Sequence, residues 1–177
     1  MDFKFIQDPI SKKWVIQAPK RQKRPNEAKG TEPMCPFCIG STADNKLLYS
    51  IPNPVFSGPN ISQSDSWKVK VVENKYPFAP IHEIIIHSPD HHKSFDELPL
   101  LSSELILKTF KERFLVNQDK GSVYIFTNHG EEAGESLPHP HSQLVVIPDY
   151  VDLEFPHHNI TDKDKAKETT HFSILPL

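Results

Sequence analysis

The chain has 177 residues and a mass of 20.2 kDa, with 37% hydrophobic and 24% charged residues, which describes one globular domain with or without a tail and excludes wholesale disorder. Twenty Lys and Arg against 23 Asp and Glu give a net charge of −3, which argues against general affinity for nucleic acid. No apolar run approaches the roughly 18 residues of a membrane span, and the charged opening MDFKFIQDPISKKW lacks the apolar stretch of a secretory signal, so a cytoplasmic protein is expected.

Residues 1–29 hold eight basic and three acidic side chains, leaving 12 basic and 20 acidic for the rest. Such a basic arm on an acidic body suits a small anionic ligand or a solvated face. It carries no aromatic-interleaved platform for nucleic acid. After an Asp8-Pro9 turn, Trp14–Gln17 reads as a short strand. Cys35-Pro-Phe-Cys38 contains both cysteines of the chain. Pro33 before it and Gly40, Ser41 and Thr42 after it mark a turn, whereas a thioredoxin-like pair would open a helix after a strand. Metal ligation, a redox pair and coincidence are the readings of the motif. Ligation needs two further donors from histidine or carboxylate.

Residues 41–66, rich in Ser, Asn and Pro, read as a long excursion over the surface. Trp67–Glu73 alternates apolar and basic residues, which places Trp67, Val69 and Val71 on one face of a half-buried strand. His82–His87 is a third strand, closed by Ser88-Pro-Asp90. Ser103–Gln118 is the one clear helix. Its Ile106, Phe110 and Phe114 stack toward the core, with Lys108, Lys111 and Glu112 opposite. Ser122–Asn128 and Ser142–Pro148 are the last strands, joined by a loop holding Gly130 and Gly134. Five strands around one helix, without regular βαβ alternation, specify an α+β domain with a largely antiparallel sheet. Its extent is residues 1–156, with a polar tail over 157–177.

Leu137-Pro-His-Pro-His-Ser-Gln-Leu144 carries the strongest chemical signal. Pro138 and Pro140 exclude helix and push the residues before them into extended geometry, so His139, His141 and Gln143 project to one side with period two. Glycine-flanked backbone N–H groups and the Ser136 hydroxyl, just upstream, suit phosphate oxygens.

Histidine, histidine and glutamine at alternate positions resemble the transferase branch of the histidine-triad superfamily, nearest to the N-terminal half of the galactose-1-phosphate uridylyltransferases. The matching blocks run in order along about 130 residues. They are Asp8-Pro through Arg21-Gln-Lys-Arg24-Pro25, Cys35-Pro-Phe-Cys38, Asn74-Lys-Tyr-Pro, Ser88-Pro-Asp-His91, Asn128-His-Gly and Gly134-Glu-Ser136 through Gln143. The resemblance implies that His141 is the nucleophile toward the α-phosphorus of a nucleotide sugar. It implies a structural zinc held by Cys35, Cys38, His91 and His139, with iron as another ion for that site. Ser-Pro-Asp-His selects His91 over His92, which is left on the surface. Gln143 and Ser136 would bond the transferred phosphoryl group beside Gly134, Arg21 and Arg24 would face the phosphates, and Asn74 and Asn128 would lie near the nucleoside. A homodimer is a further implication.

Elementary chemistry agrees. A histidine nucleophile must be neutral, and an imidazole near its ordinary pKa of about 6.5 largely is at pH 7. Glutamine suits a leaving group that departs as a stable phosphate anion and needs no general acid. The expected activity is UMP transfer between UDP-hexose and hexose-1-phosphate. An ADP-glucose or dinucleoside polyphosphate phosphorylase or hydrolase, and a non-catalytic zinc-stabilised nucleotide-binding module, are the alternatives. Two departures from the family stand out. Its second half is absent, and Glu135 replaces a small residue in the phosphate loop.

Overall fold

The computed structural model describes residues 3–23, 35–39, 41, 45–53 and 67–153, together with the strand residues 167–168 and 173–174. Arg24, most of the tail and residues 54–66 of the excursion lie outside the described residues.

Strands β1 (Lys4–Gln7) and β2 (Trp14–Gln17) form an antiparallel hairpin. Its turn is held by Asp8, whose Oδ1 accepts the N–H groups of Ile10 and Ser11. Strands β3 (Leu47–Pro52), β4 (Trp67–Glu73), β5 (Ile81–Ile86), β6 (Ser122–Phe126) and β7 (His141–Ile147) form one sheet in the order β3-β4-β5-β7-β6. Every neighbouring pair in it is antiparallel. Helix α1 (Leu100–Asn117) joins β5 to β6 and packs on one face of the sheet. Lys167–Glu168 (β8) pairs with Ser173–Ile174 (β9) in a separate ladder. Among the described residues no helix is long and apolar enough to cross a membrane.

The α+β architecture with one main helix is therefore present, with several departures from the sequence reading. Strands β1, β3, β8 and β9 depart from expectation, β3 lying inside the stretch read as a surface excursion and β8 and β9 inside the expected polar tail. Trp67 does not share a face with Val69 and Val71. The register shift between Ile51 and Pro52 places an extra residue on β4, and Trp67 turns to the opposite side to pack with Phe37, Val72, Ile84 and Ile86. Phe114 is 43% exposed, because the last turn of α1 is anchored by polar groups instead. Arg113 clasps the buried Glu83 with two hydrogen bonds, Nε to Oε2 at 2.8 Å and Nη2 to Oε1 at 2.6 Å. The buried Asn117 amide adds a third to Oε1 at 3.2 Å. A buried carboxylate needs that degree of satisfaction.

The two faces of the sheet have different tasks. On the helix side Val69, Val71, Ile85, Leu144 and Val146 pack with Ile106. On the other side Val145 and Ile147 are covered by the β1–β2 hairpin through Phe5, Trp14 and Ile16. That second face also carries His82, His141 and Gln143, because side chains alternate along β5 and β7. Gly121 lets β6 start close to β7. It sits at φ +139°, and a Cβ there would lie 2.4 Å from the Ile147 carbonyl oxygen.

Candidate active site and metal centre

The β7 strand is buried along its whole length and is entered through the two prolines. His139 and His141 both pack against the Phe37 ring, with centroids 6.1 and 5.2 Å away, so they face one side as their spacing requires. The Nδ1 of His141 lies 2.8 Å from the carbonyl oxygen of His139. A carbonyl only accepts, so Nδ1 carries the proton and the lone pair is on Nε2. The local strand geometry thus selects the tautomer of His141.

Gln143, two residues on and also buried, places Oε1 2.9 Å from Nε2 of His82. His82 packs edge-on against Phe78 at 4.5 Å, and the Arg21 guanidinium lies 4.9 Å above that same ring while donating to the Tyr76 carbonyl at 2.7 Å. Arg21 is thus linked to the glutamine through Phe78 and His82. Lys12, Lys13 and Lys20 of the basic arm are exposed, as a solvated face requires.

The loop before β7 closes on itself. Gly130 and Gly134 take φ of +84° and +74°, the left-handed region that favours glycine. Asn128 donates to the Ala133 carbonyl at 2.8 Å, and Glu135 accepts the Gly130 N–H at 2.6 Å. Glu135 therefore holds the loop by its backbone. Ser136 is buried. Asn74 accepts the Tyr76 N–H through Oδ1 and turns its amino group toward His82, 3.0 Å from Nε2.

Beside His141, Cys35, Cys38, His91 and His139 converge, with one donor atom from each lying within 4.8 Å of the others. His139 Nδ1 is 3.8 Å from Cys35 Sγ and 3.6 Å from Cys38 Sγ, and His91 Nδ1 is 3.2 Å from Cys38 Sγ. A tetrahedral ion with bonds of about 2.3 Å to sulfur and 2.0–2.1 Å to nitrogen separates such donors by about 3.5 Å. Second contacts complete the fit. His139 donates Nε2–H to the Ser88 carbonyl at 2.8 Å, leaving the Nδ1 lone pair toward the sulfurs. The Phe37 N–H points at Cys35 Sγ at 3.5 Å, and Asn45 braces the turn through the Pro36 carbonyl. Burial pushes the His139 pKa down to about 4, the neutral state a ligand needs. These four residues could hold a metal ion. Asp90 shapes the turn that presents His91 by accepting the His92 and Lys93 N–H groups, while His92 is exposed.

The family model of the galactose-1-phosphate uridyl transferase N-terminal domain matches residues 6–147. The chain belongs to this family. An ADP-glucose phosphorylase from Arabidopsis thaliana is 29% identical over 175 aligned residues, covering 80% of the chain and 47% of the relative. A galactose-1-phosphate uridylyltransferase from Thermotoga maritima is 30% identical over 146, covering 80% and 45%. The chain thus spans about half the length of these two relatives. A solved structure of the Arabidopsis phosphorylase with bound ADP-glucose superposes with a TM-score of 0.51 over 80% of this chain and 47% of that one, at 29% identity. A hypothetical histidine triad nucleotide-binding protein from Sulfolobus tokodaii shares the fold, with a TM-score of 0.50 over 72% and 75% of the two chains at 20% identity.

Three groups escaped the sequence reading. His82 was seen only as the start of a strand, although period two places it on the face of Gln143. The Glu83–Arg113 pair joins elements 30 residues apart and leaves no local pattern. His87 is buried on the helix side, where Nε2 meets Ser142 Oγ at 2.7 Å and Ser142 meets Thr127 at 2.5 Å. Burial, with the neighbouring His141 and His139, pushes its pKa down to about 4. The unfolded chain then binds the extra proton between about pH 6.5 and 4, so folding stability present above pH 6.5 is lost as pH falls through that window. Urea unfolding at pH 7 and pH 5 is expected to differ by about 2 kcal/mol from this residue. The difference should shrink by that amount in His87→Leu.

Proposed function

We propose that the chain is a nucleotidyl-transfer domain in which Nε2 of His141 attacks the α-phosphorus of a nucleoside diphosphate hexose. A P–N bond forms, the P–O bond to the β-phosphate breaks, and hexose-1-phosphate leaves with that electron pair. A phosphate oxygen of the acceptor then attacks the same phosphorus, forming a new P–O bond as the P–N bond breaks. The observation that carries this reading is the Nδ1–H hydrogen bond of buried His141 to its own strand, with Gln143 on the same face. Gln143 and Ser136 are assigned to the phosphoryl oxygens beside the Gly134 turn. Arg21 and Arg24 are assigned to the phosphates, and Asn74 and Asn128 to the nucleoside end. Glutamine has no titrating proton to give to an incoming water, which favours transfer to a phosphate acceptor over hydrolysis.

Zinc is the ion proposed for Cys35, Cys38, His91 and His139, with iron the other ion this set accommodates. Closed by four protein ligands, it would supply structural anchoring at the mouth of β7 rather than an open coordination position. UDP-hexose with hexose-1-phosphate as acceptor is the substrate pair proposed first. A second reading, ADP-glucose with inorganic phosphate, is supported by the likeness to the Arabidopsis phosphorylase. Intact-protein mass spectrometry after mixing with UDP-glucose, or ADP-glucose, without acceptor tests both. One uridylyl or adenylyl increment, discharged by hexose-1-phosphate or by phosphate, is expected. No increment from either nucleotide sugar overturns the transfer reading.

A further inference from the structure

The geometry points to His82 as the positioning residue that decides which end of the Gln143 carboxamide meets the transferred phosphoryl group. This rests on the assignment of Gln143 to that group. A carboxamide has an accepting oxygen at one end and a donating amino group at the other, whereas phosphoryl oxygens only accept. Gln143 therefore contributes only when its oxygen faces away from the phosphorus, and something must hold it so.

His82 is buried at the start of β5, on the face of His141 and Gln143. Its strand partner on β7 is Val145, so the imidazole reaches Gln143 diagonally. Two contacts set its proton. The Phe78 backbone N–H points at Nδ1 from 3.3 Å. A backbone amide only donates and cannot flip, so Nδ1 accepts and the neutral ring carries its proton on Nε2. That Nε2–H then donates to Gln143 Oε1 at 2.9 Å. With its oxygen taken, the carboxamide offers its amino group.

The opposing contact is the Asn74 amino group, 3.0 Å from the same Nε2. It would favour the other tautomer, with the proton on Nδ1. That tautomer satisfies Asn74 while setting Nδ1–H against the Phe78 N–H and a lone pair against Gln143 Oε1. The Phe78 donor is fixed by the main chain, whereas Asn74 is a side-chain amide that can turn, which favours the proton on Nε2. Phe78 is also braced by Arg21 above its ring, so the backbone donor is held by the element that carries the arginine arm.

The test reads the proton first. Long-range ¹H–¹⁵N NMR of the full chain, with His82→Gln for assignment, is expected to show a pyrrole-type Nε2 and a pyridine-type Nδ1 at His82. The opposite tautomer overturns the inference. Single-turnover formation of the His141 adduct is then compared in three forms. His82→Leu, which removes the donor, should slow adduct formation about 100-fold, the scale of losing one aligned donor to the reacting oxygens, with nucleotide affinity unchanged. His82→Gln, whose amide can restore it, should stay within about tenfold of the native chain. Native speed in a folded His82→Leu protein overturns the positioning role. Should no form make an adduct, the transfer reading is what has failed. UMP and AMP titrations then decide His82, which requires the Gln143 side-chain amide signal to shift in the native chain and not in His82→Leu.

Discussion

His141→Ala is expected to abolish the nucleotidyl adduct and to lower transfer by on the order of 10⁴-fold or more, while His92→Ala leaves both intact. The size follows from the neighbours. His82 is committed to Gln143 and Phe78, and His87 lies on the opposite face of the sheet with Ser142. His139 directs Nε2 to the Ser88 carbonyl and Nδ1 to the cysteines. None of these imidazoles presents a lone pair where Nε2 of His141 does, so among them no substitute for the proposed nucleophile is at hand. His92 is exposed, its N–H held by Asp90 and its ring against that of His91, 4.8 Å between centroids. The measurement is intact mass after mixing with UDP-glucose and ADP-glucose. An adduct surviving in His141→Ala, mapped to another residue, would remove the basis for the proposed chemistry.

What could be read from the chain in advance was what local rules dictate. Prolines at 138 and 140 make the histidine segment extended whatever surrounds it, and period two then places His141 and Gln143 together. The Cys-Pro-Phe-Cys turn is likewise local, with Cys38 N–H bonding the Cys35 carbonyl at 3.0 Å. The convergence of those cysteines on His139, 104 and 101 residues away, has no local signal, and only the family resemblance anticipated it. Strand β3 was missed because LLYSIP neither alternates nor escapes its Ser- and Pro-rich surroundings. It becomes a strand by pairing with β4. Periodicity puts Trp67 on the wrong face because a one-residue register shift leaves no trace in it. Phe114 kept the helical spacing of a core residue, yet the clasp of Arg113 on Glu83 holds that turn by charge. Each miss is a long-range contact overriding a correct local preference.

Removing one of the proposed metal ligands is the second large expected effect, and it links stability to chemistry. Cys38→Ser is expected to lower the unfolding free energy by about 3–5 kcal/mol. That is well below the roughly 10–16 kcal/mol that whole zinc-finger peptides take from their ion, because this sheet has an apolar core of its own. Elemental analysis of the native chain should give about one zinc, or one iron, for a single closed four-donor site. A strong chelator should reproduce the loss in the native chain and do nothing further to Cys38→Ser, whereas equal chelator sensitivity in both forms would place the metal elsewhere. The reaction should feel the change as well. The His139 carbonyl accepts Nδ1–H of His141 at 2.8 Å, and the same residue donates Nε2–H to Ser88 and turns Nδ1 to the cysteines. Loosening His139 therefore loosens the bond that sets the His141 tautomer. Cys38→Ser, assayed well below its melting temperature, should form the His141 adduct at least about tenfold more slowly, the scale seen when groups supporting a site are lost. Unchanged adduct kinetics in the metal-free chain would show that β7 and its prolines position His141 unaided.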